Sequence, residues 1–280
     1  MLERRSFHGI DTPLARVLTL NIWNLSGPWR DRRDEIVAWL DLLDPDVVAL
    51  QEVVENADGR NQAEYLASRT ATKYHVAYAG VPWRDRRFGN AVLSRWPILD
   101  TAVADLPSSS LSGDIERLAL HVRTESLDVF CTHLSWRMDD GAIREAQVRA
   151  LMDFVRARAD PTGVPPILAG DMNADPESNE IRYLCGLAAL GGDSAYFQDA
   201  WGLAGGGGSG WTWDNRNPLA VPAREPDRRI DYIFLGWRPG PRAWIRRAEV
   251  VANRALTGVQ ASDHYGLLAE LAQAADDAAP

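Results

Sequence analysis

Apolar residues in this chain fall mostly into short, nearly unbroken runs, each closed by Gly, Pro, Asp or Asn. The segments ARVLTLNIW, DVVALQEV, YHVAYAG, GNAVLSRW, RLALHVR, LDVFCTHL, PPILAGD, RIDYIFL and HYGLLAEL have the Val, Ile, Leu and aromatic content of strands. Several lack polar alternation, which predicts strands buried on both faces. Three other stretches carry helical spacing: Arg30 to Leu43, where Ile36, Val37, Leu40 and Leu43 share a face, then Gln62 to Thr70, and Ile143 to Arg158. Two sheets packed together with helices outside satisfy this pattern. A single doubly wound sheet is the alternative.

The polar interruptions share one kind of address. Asn21 follows VLTL, Gln51 and Glu52 follow VVAL, His133 follows DVFCT, and Asp171 and Asn173 follow PILAG. Asp231 opens DYIFL, and Asp263 and His264 stand just before YGLL. Strand ends on a rigid scaffold are where catalytic groups gather, and adjacent strands running opposite ways bring such ends to one rim.

These residue types suit one chemistry. Glu52, Asp171 and Asp263 offer carboxylate oxygens, and Asn21 and Asn173 amide oxygens, a hard donor set for Mg²⁺, Mn²⁺ or Ca²⁺. Glu52 is the first choice as a direct ligand, with Asn21 beside it. His264 lies between Asp263 and, in the analogous place before another strand, Asp231. A carboxylate on one ring nitrogen fixes the tautomer and raises the basicity of the other, so that water can stand where a nucleophilic serine otherwise would. In GDMNADP an extended backbone projects Asp171 and Asn173 to one side; an Asx-rich turn before a helix fits the same residues.

Composition narrows the picture further. The 280 residues, 46% hydrophobic and 25% charged, are those of an ordinary globular protein. No stretch approaches the roughly 20 apolar residues that span a bilayer, and the start, MLERRSFHGIDTPLAR, lacks the apolar core of a secretory signal, so a cytoplasmic protein is expected. Residues 1–14 and 273–280 read as tails around one domain, 15–272. Cys131 and Cys185 read as reduced core thiols. A net charge of -9 disfavours nonspecific attraction to nucleic acid. The glycine patch Ala204 to Gly210 reads as a flexible surface loop. Eleven tryptophans are present, and Trp136, three residues past His133, is the best placed to stack on a substrate. In PWRDRRFGN, Arg84, Arg86 and Arg87 form a local basic group beside a presumed site loop; Arg87 and Asn90 join Trp136 as substrate-contact candidates.

LTLNIWN, DVVALQEV, FGNAVLSRWPI, CTHLSW, LAGDMNADP, RRIDYIFL and SDHYGL occur in an order that resembles the endonuclease/exonuclease/phosphatase superfamily, from about Val17 to Leu271. The resemblance implies a four-layer α-β-β-α sandwich of two mainly antiparallel sheets, as in DNase I, with Mg²⁺ or Mn²⁺ as cofactor. It implies Asn21 and Glu52 as the principal metal site, with Asp263 assisting. Asp171 and Asn173 would orient water and contact phosphate, His133 and His264 would bracket the phosphate, and Asp231 would orient His264. Trp23, two places after Asn21, and His133 depart from the AP-endonuclease pattern. The expectation is hydrolysis of a phosphodiester or phosphomonoester in a phosphorylated small-molecule or lipid-like substrate by a monomer. A metal-dependent nuclease acting on DNA or RNA is the alternative. A catalytically dead binding module would have lost an essential group, and none is missing here.

Overall fold

A computed structural model describes residues 12–108, 115–239 and 243–273. The first sheet has the order β11-β12-β1-β2-β4-β3. Its strands are β1 (Thr12–Asn21), β2 (Val47–Glu55), β3 (His75–Trp83), β4 (Arg86–Ser94), β11 (Trp244–Val251) and β12 (Gly266–Gln273). The second sheet, β5-β6-β7-β8-β10-β9, uses β5 (Asp100–Leu106), β6 (Arg117–Arg123), β7 (Asp128–His133), β8 (Ile167–Asp171), β9 (Phe197–Asp199) and β10 (Asp231–Gly236). Among the described residues each sheet holds one parallel strand pair, β1 with β2 and β7 with β8, and the other strand pairs are antiparallel. The helices α1 (Trp29–Leu43) and α3 (Gly141–Arg158) make the two parallel crossovers. Two further helices are α2 (Gln62–Arg69) and α4 (Asn179–Leu184).

Alternation along each strand explains the unbroken apolar runs. Val17, Val47, Ala49, Val129, Cys131, Ile167, Ala169, Ile233, Leu267 and Ala269 face inward and form the core between the sheets. Their neighbours Leu18, Leu20, Val48, Leu50 and Leu268 face outward against Ile36, Trp39 and Leu40 of α1 and Leu66 of α2. On the other side Phe130, Leu168, Tyr232 and Phe234 face Val148, Leu151, Met152 and Val155 of α3 and Ile181 of α4. Both strand faces are therefore apolar, and the four layers follow directly.

The three anticipated helices begin and end within two residues of their expected bounds. Strands β5, β9 and β11 and helix α5 (Ala200–Ala204) are additions to the expected set, and α4 is the helix expected after GDMNADP. Thr12 pairs with Gln273, so β1 reaches into the presumed N-terminal tail; the rest of both tails, residues 1–11 and 274–280, lies outside the described residues. The glycine patch is anchored at both ends: a Cβ on Gly205 or Gly210 would come within 3 Å of the Trp201 side chain. Cys131 and Cys185 are free thiols. No helix among the described residues is long and apolar enough to cross a membrane.

Candidate active site

The inward files of the central strands end at one rim in Asn21, Gln51, His133, Asp171 and Asp231. In the ladders Asn21 stands opposite Gln51, His133 opposite Asp171, and Asp231 opposite Asp171. The parallel pairs bring two C-terminal ends together, while antiparallel β10 and β12 deliver their N-terminal ends, Asp231 and His264, to the same rim. Close approach of β7 and β8 requires glycine at 170, where a Cβ would lie 2.0 Å from the Thr132 carbonyl oxygen.

At the end of β2 the register against β4 shifts between Leu50 and Val53, and Glu52 has a left-handed φ of 60°. This bulge keeps Gln51 inward, where its amide donates to the Cys131 sulfur at 3.3 Å, and re-aims Glu52 toward the loop after β1. There Asn24 Nδ2 donates to Glu52 Oε2 at 2.7 Å, and Asn21 Nδ2 lies 3.4 Å from Oε1.

Asp171 Oδ2 is the hub. It accepts from Asn21 Nδ2 at 3.0 Å and lies 3.4 Å from His133 Nε2 and 3.8 Å from His264 Nε2. Its other oxygen accepts the Asn173 backbone N–H at 2.9 Å. Asn173 has φ 50°, so the segment is an Asx turn, not the extended strand that would put both side chains on one side. The Asn173 amide donates to the Leu134 carbonyl, tying this turn to the loop after β7.

The two histidines are held differently. Arg117 donates to His133 Nδ1 at 3.0 Å, and a guanidinium can only donate, so Nδ1 accepts and the proton sits on Nε2, facing Asp171. Burial, with Arg117 and His264 nearby, pushes the His133 pKa well below the usual histidine value. His264 Nδ1 bonds Asp231 Oδ2 at 2.9 Å. Burial opposes its charge, but Asp231 and Asp171 outweigh that and raise its pKa well above the usual value. Both rings thus present an Nε2–H donor to the space beside Asp171.

Carboxylates crowd this rim. Burial and the Asp231 charge push Asp171 up to about 6, and burial with Glu52 nearby pushes Asp263 up to about 7. A divalent cation fits that excess of buried negative charge, and the donors are the hard oxygens it prefers. Asp171, Asp231 and His264 place potential ligand atoms within 4.8 Å of one another. Asp231 and His264 are already bonded to each other, which leaves Glu52, Asn21 and Asp263 as candidate holders of such a cation.

Several supports were not anticipated. Arg32, fully buried in α1, donates to the carbonyls of Ile22, Trp23, Asn24 and Ser26 in the loop after β1 and to Ala261 before β12. It lies over the Trp23 and Trp29 rings, and burial lowers its pKa to about 10 against the pull of Asp263 and Glu52. Its spacing of four from Ile36 and eight from Leu40, on the apolar face, was the available signal. Buried Thr212 accepts the Asp231 N–H with its hydroxyl and the Tyr265 N–H with its carbonyl. Asn217 donates to the carbonyls of Ser262 and Asp263, and Trp213 meets the His264 ring in a T-shaped contact at 5.0 Å.

The substrate-contact candidates divide. Trp136 is half exposed beside the rim. Asn90 is buried, and its amide donates to the Leu118 carbonyl, bridging the sheets. Arg87 turns back to the Gly80 carbonyl and Glu55, outside the cluster.

Two six-stranded sheets packed face to face, with an acid–amide–histidine cluster at one rim, define the type of scaffold. The chain belongs to the Endonuclease/Exonuclease/phosphatase family, whose profile matches residues 18–264. A solved endonuclease/exonuclease/phosphatase from Beutenbergia cavernae is 25% identical, with a TM-score of 0.68 over 95% of this chain and 73% of that one. D. rerio TDP2 complexed with a single-strand DNA product is 23% identical, with a TM-score of 0.70 over 91% and 98%. A functionally unknown conserved protein from Enterococcus faecalis is 19% identical, with a TM-score of 0.69 over 92% and 99%. No curated protein sequence matches.

Proposed function

We propose that this protein hydrolyses a phosphoester of a small or lipid-like substrate with the help of Mg²⁺ or Mn²⁺. The observation that carries this reading is the convergence of His133 Nε2, His264 Nε2 and Asn21 Nδ2 on one oxygen of Asp171. The two Nε2–H groups are donors for nonbridging phosphoryl oxygens, and Asp171 is the acceptor for the proton of the attacking water. Water oxygen then bonds phosphorus as the ester oxygen leaves in line. Asp231 orients the His264 ring through Nδ1, and its charge favours the imidazolium that phosphate binding needs. Glu52 and Asn21, assisted by Asp263, would hold the cation, which supplies neutralisation of charge on the phosphoryl and leaving oxygens.

Asp171 is a better proton acceptor than His264 because the neighbouring carboxylates keep His264 charged, while Asp171 itself is pushed into the range of a general base. The net charge of -9 favours small or lipid substrates over a nucleic-acid backbone.

The test is a panel with Mg²⁺ or Mn²⁺: bis-p-nitrophenyl phosphate, p-nitrophenyl phosphate, sphingomyelin, plasmid DNA and RNA. Turnover of the small or lipid esters that stops in EDTA and returns with metal is the expected result. Undiminished hydrolysis in EDTA overturns the metal requirement, and cleavage confined to DNA or RNA replaces the substrate class by the nuclease alternative. Glu52→Gln should raise the metal concentration needed for half-maximal rate and lower kcat by about 10²-fold or more.

A further inference from the structure

The arginine group of the β3–β4 hairpin belongs to no part of the hydrolytic site described so far. Arg87 turns away from the site, but Arg84 and Arg86 line a cavity of about 350 Å³ together with Trp83, Asn24 and Ser26. That volume is at the small end of ligand-binding pockets. One wall of the cavity is Asn24, whose amide is bonded to Glu52 at 2.7 Å, so the cavity opens beside the proposed cation holders. The opposite wall is fixed to the other side of the site. Trp83 packs on Phe88 with centroids 5.5 Å apart, and Phe88 lies 6.3 Å from the His133 ring.

The hairpin is built tightly. Trp83 pairs with Arg86 across a two-residue turn, and Arg84 occupies its first position with φ 56°, a conformation that favours glycine. A long cationic side chain stands there instead, its guanidinium 4.7 Å from the Trp83 ring centroid. Asp85 approaches Arg86 at 3.8 Å, but both ends of that contact reach solvent, so the pair leaves Arg86 available. The hairpin tip thus carries two positive groups and one negative group on the cavity wall.

We infer that this cavity is a subsite for a second phosphate group of the substrate, held by Arg84 and Arg86 while the scissile phosphate sits at Asp171, His133 and His264. Guanidinium forks match phosphate oxygens, and Trp83, packed on Phe88, steadies the wall that carries Arg84. This inference rests on the phosphoester reading above and narrows the substrate to one with more than one phosphate.

Thymidine 3′,5′-bisphosphate and thymidine 5′-monophosphate serve as probes, titrated calorimetrically into the wild type and into Arg84→Ala/Arg86→Ala with Ca²⁺ present. The bisphosphate should bind about tenfold more tightly to the wild type, and the double variant should lose that margin. The double variant Arg246→Ala/Arg247→Ala, on exposed positions of β11, removes the same charge elsewhere and should keep it. Equal affinities in the wild type, or a margin that survives in Arg84→Ala/Arg86→Ala, overturns the subsite. Hydrolysis of p-nitrophenyl 5′-thymidylate with Mg²⁺ or Mn²⁺ is followed in parallel. An inert ester with an intact binding margin defeats the hydrolase reading and leaves the subsite standing. Hydrolysis without the margin does the reverse.

Discussion

Two histidine–aspartate pairs lie at opposite ends of the sandwich, and their bonds are nearly equal: 2.7 Å for His121 with Asp128 and 2.9 Å for His264 with Asp231. Their surroundings are not alike. The His121 ring is fully buried, stacks on Phe130 at 4.5 Å and meets Phe154 edge-on, and its Nδ1 has no hydrogen-bond partner. Asp128 is further bonded by Arg123 and by the Asp160 backbone N–H. That carboxylate is saturated, and no face of the imidazole is open. His264 turns its second nitrogen toward Asp171 at the rim, where His133, Asn21 and Glu52 also converge. A histidine–aspartate pair becomes chemistry only when its free nitrogen faces another reactive group and a place for substrate.

The largest expected effect breaks the rim pair. Asp231→Asn or His264→Ala should lower kcat by about 10²- to 10⁴-fold, because the ring's orientation and the charged donor are lost, while circular dichroism stays native. Asp128→Asn, on an equally short pair, should leave kcat within about twofold and act on stability alone. A comparable kcat loss in Asp128→Asn would mean that the two pairs are coupled through the sheet.

Much of the fold and of the rim was legible in the sequence, the His121–Asp128 pair was not, and what was missed has physical causes. Strands buried on both faces announce themselves as apolar runs, which is why β1, β2, β7, β8 and β10 were legible. The edge strands β5 and β11, DTAVADL and WIRRAEVV, keep one side in solvent and blend into loop composition. Asn21, Glu52, His133, Asp171, Asp231 and His264 were legible because polar residues interrupt those runs at their ends. Thr212 and Asn217 act on backbone groups distant in the chain, and Arg32 joins its nearby loop to Ala261 across 229 positions, which no local pattern encodes. Asn90 was expected to contact substrate, but its strand carries it between the sheets, where its amide bonds the Leu118 carbonyl.

The next effect in size falls on that hidden support. Arg32 donates to five backbone carbonyls in two loops, so Arg32→Met leaves several buried acceptors unpaired at once. Stability measured by urea denaturation should fall by about 3 kcal/mol. Arg32→Lys keeps the charge without the fan of donors and should recover less than half of that. Since Asn24 carries Glu52, both variants should also bind Mn²⁺ more weakly in calorimetric titration. A stable Arg32→Met with unchanged Mn²⁺ affinity would show that the loops hold themselves.

The smallest effect separates the two ends by pH. Burial works to raise Asp128, but hydrogen bonds from His121, Arg123 and the Asp160 N–H hold it well below the ordinary carboxylate range. Its stabilisation is therefore present above the unfolded value near pH 4 and is lost as pH falls toward the folded value. Asp263 is shifted the other way, up to about 7, by burial and the nearby Glu52 charge. Stability from its protonated form is complete below about pH 4 and is lost as pH rises through about 7. In metal-free protein, Asp263→Asn should accordingly flatten the decline between pH 4 and 7, raising Tm at pH 7.5 by about 3 °C, equivalent to roughly 1 kcal/mol. Asp128→Asn should leave that limb unchanged, flatten the one below pH 4 and lower Tm at neutral pH. Mg²⁺ should raise the wild-type Tm more at pH 7.5 than at pH 5, because only the ionised rim repels itself. Identical pH profiles for Asp263→Asn and the wild type would remove the rim carboxylates from the stability balance and leave the foot of the sheet as the only titrating end.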